Sequence, residues 1–320
     1  MNHFLVTGGA GFIGSNLIKN LLAQGNNSVT CLDNFDSFYE TAQKRYNLLP
    51  FINHPGFELI EGDIRDAALL QQITADICCI IHLAAKAGVR PSIQDPVMYQ
   101  DVNNGGTQVL LEYARKRNIR QFVFASSSSV YGINENLPWN ESESLLPISP
   151  YASSKLSGEM LGHVYSHLYG IRFIALRFFT VYGPGQRPDL AIHKFFRSIL
   201  RDQPIPVYGN GDTSRDYTFV NDIVQGILAA VSYEQSLFEI INLGNHQTVS
   251  LKNLITAIEA ICGRPAIIDR QPEQPGDVPA TYADISKAGR LLNYKPGTVL
   301  KDGLTGFYHW LLAFEEWKKG

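Results

Sequence analysis

Tyr151 stands four residues before Lys155 in the run Tyr151-Ala152-Ser153-Ser154-Lys155. On a helix that spacing puts both side chains on one face. Free tyrosine titrates near pH ~10 and is a poor base at neutral pH. A neighbouring ammonium stabilises the phenolate and makes the pair a proton acceptor. The serines Ser126–Ser129 end the preceding apolar run and can hydrogen-bond a substrate oxygen. A tyrosine and lysine at this spacing also occur on ordinary surface helices, so the pair needs a second signal.

That signal opens the chain, at Thr7-Gly8-Gly9-Ala10-Gly11-Phe12-Ile13-Gly14. Gly8 permits a tight turn, Gly11 lets backbone approach a pyrophosphate, and Gly14 lets the following helix lie close to a sheet. Phe12 and Ile13 begin that helix, whose free N–H groups and dipole favour phosphate. Asp33 ends the next apolar run, about 20 residues further on, where ribose recognition requires an acid. A carboxylate there repels a 2′-phosphate, and Asn34, Phe35 and Asp36 follow with no arginine, so NAD is expected rather than NADP. Asn34 joins the cofactor set, and Asp63-Ile64 is expected to flank the adenine. A loop carboxylate such as Asp63 is more often simply solvated.

The positioning elements follow from hydrophobic period. Strands are expected at His3–Thr7, Ser28–Leu32, Phe57–Ile60, Cys78–Leu83, Arg120–Ser127 and Ile171–Arg177. Helices are expected at Phe12–Gln24, Ala67–Ile73, Val97–Arg117 and Tyr151–Tyr169. Such βαβα alternation implies a parallel sheet covered on both faces, a doubly wound Rossmann-type α/β fold. From Thr180 to Asp216 the texture turns to Gly, Pro and Arg, with one helix near Ile192–Arg201. Val220–Val231 reads as helix and Phe238–Asn242 as a strand able to return to the first sheet. Helices at Leu251–Ile261, Ile285–Leu292 and Leu304–Lys318 complete a smaller C-terminal α/β region. The expected division is residues 1–179 plus 216–243 for the dinucleotide and 180–215 plus 244–320 for the substrate.

The 320 residues are 45% hydrophobic and 18% charged, with a net charge of −3. No basic footprint argues for nucleic acid. No apolar stretch approaches the ~18 residues of a membrane helix. The first apolar run is already the strand before the glycine turn, so no secretory leader is expected, and a cytoplasmic protein is. Cys31, Cys78, Cys79 and Cys262 form no CxxC and read as small core residues in a reducing compartment. His163 and His167 are four apart but lack a third ligand, so a helix face against a partner is expected and no metal.

With these residues in place, the chain resembles the extended short-chain dehydrogenase/reductase family over nearly its whole length. The resemblance rests on Thr7–Gly14, on His82-Leu83-Ala84-Ala85, and on Ser127, Tyr151 and Lys155. It implies that Leu83, Ala84 and Ala85 line the cofactor and that Lys86 approaches its phosphates and ribose. It also implies that Asn103 supports the site and that Tyr151 and Lys155 contact the nicotinamide ribose. Ser127 is the implied catalytic serine, with Ser126 and Ser128 close by. Leu176–Pro184, followed by Arg187-Pro188-Asp189, is similar to nucleotide-sugar epimerases. With Ala87-Gly88-Val89-Arg90 and Pro275-Gly276-Asp277-Val278 it most resembles the UDP-glucuronate 4-epimerase subgroup. That implies a UDP-sugar held by Arg90, Arg187, Arg215 and Asp277, C4 epimerisation through a 4-keto sugar, and a homodimer built on the two long helices. Ser128, Ser129 and Thr180 are then expected around the sugar carboxylate. Related dehydratases carry Asp-Glu, and related decarboxylases Glu, where this chain has Ser128-Ser129. The alternatives are an epimerase of a neutral or N-acetylated UDP-hexose and an NAD-binding regulator without turnover.

Overall fold

The computed structural model describes residues 2–272 and 278–320. Seven parallel strands form the central sheet: β1 (Asn2–Thr7), β2 (Asn27–Asp33), β3 (Phe57–Glu61), β4 (Cys79–His82), β5 (Gln121–Ser127), β6 (Arg172–Phe178) and, last in the sheet, β10 (Phe238–Leu243). Their order is β10-β6-β5-β4-β1-β2-β3, so the chain winds outward from β1 in both directions. β1 and β4 lie side by side with Thr7 opposite His82. The strand order reverses there, which is where an open parallel sheet leaves a crevice beyond its carboxyl ends.

Helices cover both faces, and each face has its own apolar core. One is built on Leu17, Ile18, Val29, Ile174 and Ile227; the other on Leu5, Ile80, Leu110, Phe122 and Phe173. The strands read as continuous apolar runs because both of their faces are buried. The polar exceptions are satisfied: Thr7 Oγ1 lies 2.7 Å from His82 Nδ1, and His82 Nε2 lies 3.0 Å from Thr107 Oγ1. Burial holds the His82 imidazole down at about 3, so the ring is neutral.

The second region carries two small sheets. β7 (Thr180–Tyr182), β9 (Ser214–Phe219) and β11 (Thr248–Ser250) form one, in the order β11-β9-β7, and β8 (Pro204–Tyr208) pairs with β12 (Ile267–Gln271) in the other. They pack with the helices Ala191–Leu200, Leu251–Cys262 and Leu300–Trp317 around Phe196, Ile205, Leu254 and Phe307. β9 runs through residue 216, so the chain joins the small sheet before the helix Val220–Val231 returns it to the large one.

Three expectations change. The helix expected over Val97–Arg117 begins at Pro96 but is interrupted by a π-helical turn at Asp101–Gly105. Its apolar spacing is continuous, so the widened turn leaves no trace in the pattern. Cys78 is exposed just before β4, and only Cys79 is buried in the strand. The short strands between Thr180 and Asp216 were not expected, because prolines at 204 and 206 and runs of three residues give weak strand signals. Among the described residues no helix is long and apolar enough to cross a membrane, and no three His, Cys, Asp or Glu side chains cluster as metal ligands do.

Candidate active site

A cleft of about 520 Å³ opens beyond the carboxyl ends of the central strands. The glycine turn forms its floor. Gly8 has φ +71°, and a Cβ there would stand 2.7 Å from the Ala84 nitrogen, so the β1 and β4 turns touch through it. A Cβ on Gly14 would lie 2.4 Å from the Gly8 carbonyl oxygen, which explains how closely the helix Phe12–Ala23 approaches the turn. Gly11 is the N-cap of that helix and faces the cleft.

At one end Asp33 is buried. It accepts from the Ala10 N–H at 3.1 Å and the Phe35 N–H at 2.9 Å, and its Oδ1 lies 3.4 Å from Lys44 Nζ. A carboxylate has about four acceptor sites, so one is left for a ligand hydroxyl. Asp63 is held at about 2 by a forked bond from Arg65 and accepts from Asn34 Nδ2 at 3.2 Å. Ile64, Leu83, Ala84 and Ala85 also line the cleft. Lys86 reaches across the mouth to Asp36, with Nζ 2.9 Å from Oδ2.

The other end is built by the helix Pro150–Tyr169. Ser149 caps it by accepting from the Ala152 N–H, Pro150 occupies the first turn, and Gly170 ends it in the left-handed conformation. This fixes Tyr151 and Lys155 in the first turns, over the end of β5. Burial pushes the Tyr151 phenol above its ordinary value, while a hydrogen bond with Ser127 and the charge of Arg187 pull it back. Burial lowers Lys155 to about 8, and Glu159 opposes that shift. Lys155 Nζ donates to the Ala125 carbonyl at 2.7 Å and lies 5.9 Å from the centre of the Tyr151 ring. The bonded partner of the tyrosine is therefore the serine, and the lysine lies farther off than the spacing alone suggested.

The four serines separate in space. Ser126 Oγ donates to Glu159 Oε1 at 2.5 Å, behind the site. Ser127 meets Tyr151 and accepts from the Ser129 N–H at 3.1 Å. Ser128, Ser129 and Thr180 line the same end of the cleft. Arg187 lines it too, forked onto Asp189 at 2.9 Å and 2.9 Å. Asn103 sits in the π turn below: its Oδ1 accepts from the Lys86 N–H at 2.8 Å, and its Nδ2 donates to the Lys86 carbonyl and to Ser154 Oγ. Asn103 thus ties the lysine loop to the tyrosine helix without lining the cleft itself.

Two expected substrate residues, Arg90 and Arg215, are not among the described residues that line the cleft. Arg90 stacks its guanidinium 4.9 Å from the centre of the Tyr208 ring, and Arg215 Nη1 donates to the Ser214 carbonyl at 2.8 Å. The acids on either side of Arg215 have other partners: Asp212 pairs with Lys252, and Asp216 accepts from the N–H groups of Asn245, His246 and Ala283. Asp277 lies outside the described residues. Conversely, sequence reading missed Tyr39 and Lys44, which line the glycine end, and Tyr99, which packs edge-on against Tyr151 at 6.4 Å. Lys44 and Tyr39 come from the unexpected helix Thr41–Leu48 and the loop before it; a basic residue shortly after Asp33 was their only trace.

Residues 5–306 match the family model described as GDP-mannose 4,6 dehydratase. A UDP-glucuronate 4-epimerase of Thermodesulfobacterium geofontis is 38% identical, covering 97% of this chain and 96% of the relative. The crystal structure of UDP-glucuronic acid 4-epimerase from Bacillus cereus, in complex with UDP-glucuronic acid and NAD, superposes with a TM-score of 0.91 at 38% identity, covering 97% of this chain and 99% of the other. A UDP-N-acetylglucosamine 4-epimerase from Methanobrevibacter ruminantium, in complex with UDP-N-acetylmuramic acid, superposes with a TM-score of 0.90 at 32% identity, covering 98% of each chain. A glycine-turn cleft with a serine-bonded tyrosine, on a chain similar end to end to such enzymes, makes this protein a member of the GDP-mannose 4,6 dehydratase family of extended short-chain dehydrogenase/reductases.

Proposed function

We propose that the protein converts UDP-glucuronate to UDP-galacturonate by inverting C4 of the sugar, with NAD as a resident cofactor. One observation carries the choice of sugar: the cleft end around Tyr151 is lined by the short neutral hydroxyls of Ser127, Ser128, Ser129 and Thr180, with Arg187 beside them. The carboxylates among the described lining residues, Asp33, Asp36 and Asp63, stand on the β2 and β3 side. A sugar carboxylate therefore meets hydrogen-bond donors and no repelling acid.

The residues suit NAD. In the Gly8–Gly14 cradle a Cβ at Gly8 or Gly14 would strike backbone, and the Tyr39 hydroxyl is buried there without a hydrogen-bond partner, 3.9 Å from where a Gly11 Cβ would stand. Gly8, Gly11, Phe12, Ile13 and Gly14 would hold the diphosphate, Asp33 and Asn34 the adenosine ribose, and Asp63 and Ile64 the adenine. Leu83, Ala84, Ala85, Lys86, Tyr151 and Lys155 would hold the nicotinamide half, with Asn103 supporting Lys86. When bound, NAD supplies a hydride acceptor that can return what it takes. Tyr151 removes the proton of the 4-hydroxyl and later gives it back. Ser127 steadies the tyrosine oxygen, and the Lys155 charge favours the phenolate. Ser128, Ser129 and Thr180 hold the carboxylate away from the alignment in which a β-keto acid loses carbon dioxide. Ser128-Ser129 leave no acid or base for dehydration. Arg90, Arg187, Arg215 and Asp277 are assigned to the UDP-sugar. The exposed apolar residues Met160, Val164 and Leu168, one turn apart on the tyrosine helix, support a homodimer, which light scattering would test.

An NMR time course with NAD and UDP-glucuronate, UDP-glucose or UDP-N-acetylglucosamine in separate tubes tests the sugar assignment. Conversion to the galacto product from UDP-glucuronate alone is expected. Turnover of only a neutral sugar would retain the epimerase and discard the carboxylate pocket. Silence in all three would discard the proposed substrate and favour NAD binding without turnover.

A further inference from the structure

Behind the tyrosine helix lies a charged group that the reaction outlined above does not use. Glu159 follows Lys155 by four residues and Tyr151 by eight, so the three share one helix face. Glu159 and Arg177 are both 0% exposed. Arg177 grips the carboxylate with both prongs, Nε to Oε1 at 2.9 Å and Nη2 to Oε2 at 2.8 Å. It stands on β6 directly opposite Ser126 of β5, and Ser126 donates to the same carboxylate. Its remaining Nη1 donates to the Tyr131 hydroxyl at 3.0 Å, Tyr131 donates to Asn242 Oδ1 at 2.8 Å, and Asn242 Nδ2 donates to the Trp139 carbonyl at 2.9 Å. One buried chain of bonds thus runs from the tyrosine helix through β6 and β10 to the loop at Trp139.

A buried ion pair is weak evidence for stability, because apolar side chains of the same volume usually serve at least as well. This one bears on both parts of the candidate catalytic set, by charge on Lys155 and through Ser126 on Ser127. Its carboxylate is the counter-charge one turn from Lys155. Its bond to Ser126 fixes the strand end from which the next residue, Ser127, reaches Tyr151. We propose that Glu159 is a positioning residue of the reaction, holding Lys155 as a charged group and Ser127 in place, with Arg177 anchoring it. The proposal rests on the tyrosine-base reading above and is independent of which sugar is turned over.

The charges around Lys155 set the direction of the effect. Glu159 and Tyr151 face it from its own helix, His82 from β4, and Arg177 stands on β6 beyond Glu159; Arg187 faces Tyr151 from the loop after β7. His82 is neutral, so Glu159 is the anion that offsets the burial of Lys155. Removing its charge lets burial and Arg177 act unopposed, and Lys155 loses its proton at lower pH.

The test labels lysine Cε with ¹³C in the NAD-loaded protein and titrates the Lys155 resonance, assigned by its loss in Lys155→Met. This readout needs no turnover, so a failed sugar assignment leaves it interpretable. In Glu159→Gln the midpoint is expected to fall by ~1 pH unit or more, and in Glu159→Asp, which keeps the charge, by less than half as much. Arg177→Met, by freeing the glutamate from its partner, is expected to move the midpoint upward; if that variant does not fold, the two Glu159 variants decide. The alkaline limb of the kcat profile should follow the Lys155 midpoint. A Glu159→Gln protein that folds with its midpoint within ~0.3 unit of wild type, or a Glu159→Asp shift as large as that of Glu159→Gln, would overturn the proposal and leave the pair a packing element.

Discussion

Adding one methyl group at Gly11 and at Gly14 should separate cofactor binding from folding. Gly11 has φ −75° and ψ −178°, a conformation alanine adopts without strain. Its added Cβ would meet the Gly8 carbonyl oxygen at 3.1 Å and the Tyr39 hydroxyl at 3.9 Å, and nothing else within 4 Å. Gly11→Ala should therefore fold with stability changed by less than ~1 kcal/mol. The methyl projects into the cradle, however, and would push a diphosphate away from the helix N-terminus. Losing one charge-assisted N–H bond there costs ~1.5–3 kcal/mol, which weakens NAD by ~10- to 100-fold. In Gly14→Ala the methyl would sit 2.4 Å from the Gly8 oxygen and 2.7 Å from the Gly9 Cα. Both are backbone, so the helix must retreat by ~1 Å, an overpacking that costs ~1–3 kcal/mol of stability, and NAD affinity should fall as well. Gly297→Ala, with nothing within 4 Å of the new Cβ, is the control. Calorimetric titration of NAD into stripped protein, with thermal melts of the same samples, reads both quantities. Wild-type NAD affinity in Gly11→Ala would refute the assignment of this turn to the diphosphate.

Ser127→Ala removes a bond that favours the Tyr151 phenolate, so the tyrosine pKa rises, the acid limb of kcat/KM moves to higher pH, and turnover at pH 7 drops ~10-fold or more; an unmoved limb would show that Ser127 does not act on the tyrosine. Lys86→Met breaks the bridge to Asp36 across the cleft mouth, so bound NAD should dissociate faster in a dilution chase; an unchanged rate would show that the bridge does not retain the cofactor. Gly162→Ala would place a Cβ 2.2 Å from the Phe173 ring and should lower stability by ~1–3 kcal/mol in denaturant melts, with no such loss in the Gly297→Ala control.

What was legible in the sequence was what depends on local spacing. The glycines at 8, 11 and 14 announce their turn because Gly8 takes a positive φ and the other two meet the Gly8 carbonyl a few residues back. The tyrosine helix announces its start through Ser149 and Pro150 and its end through Gly170. The central strands announce themselves because burial on both faces leaves them continuously apolar. What was hidden depends on approach through space. Lys44 meets Asp33 only once the helix Thr41–Leu48 folds back over β2. Spacing alone does not separate the four serines, although the resemblance pointed to Ser127; in the fold Glu159 holds Ser126 behind the site and Ser127 meets Tyr151. The π turn at Asp101–Gly105 shifts Asn103 without disturbing the apolar period. The stacking of the Arg90 guanidinium on Tyr208 joins residues 118 positions apart and has no local signature.

The central claim is that C4 is inverted by removing a hydride and returning the same one, with Tyr151 carrying the proton. UDP-glucuronate deuterated at C4, incubated with the NAD-loaded protein and followed by NMR, tests it most directly. The expected result is UDP-galacturonate with deuterium retained at C4 in ordinary water, and loss of that conversion in Tyr151→Phe while NAD still binds. Deuterium washed out into solvent, or full turnover in Tyr151→Phe, would contradict it.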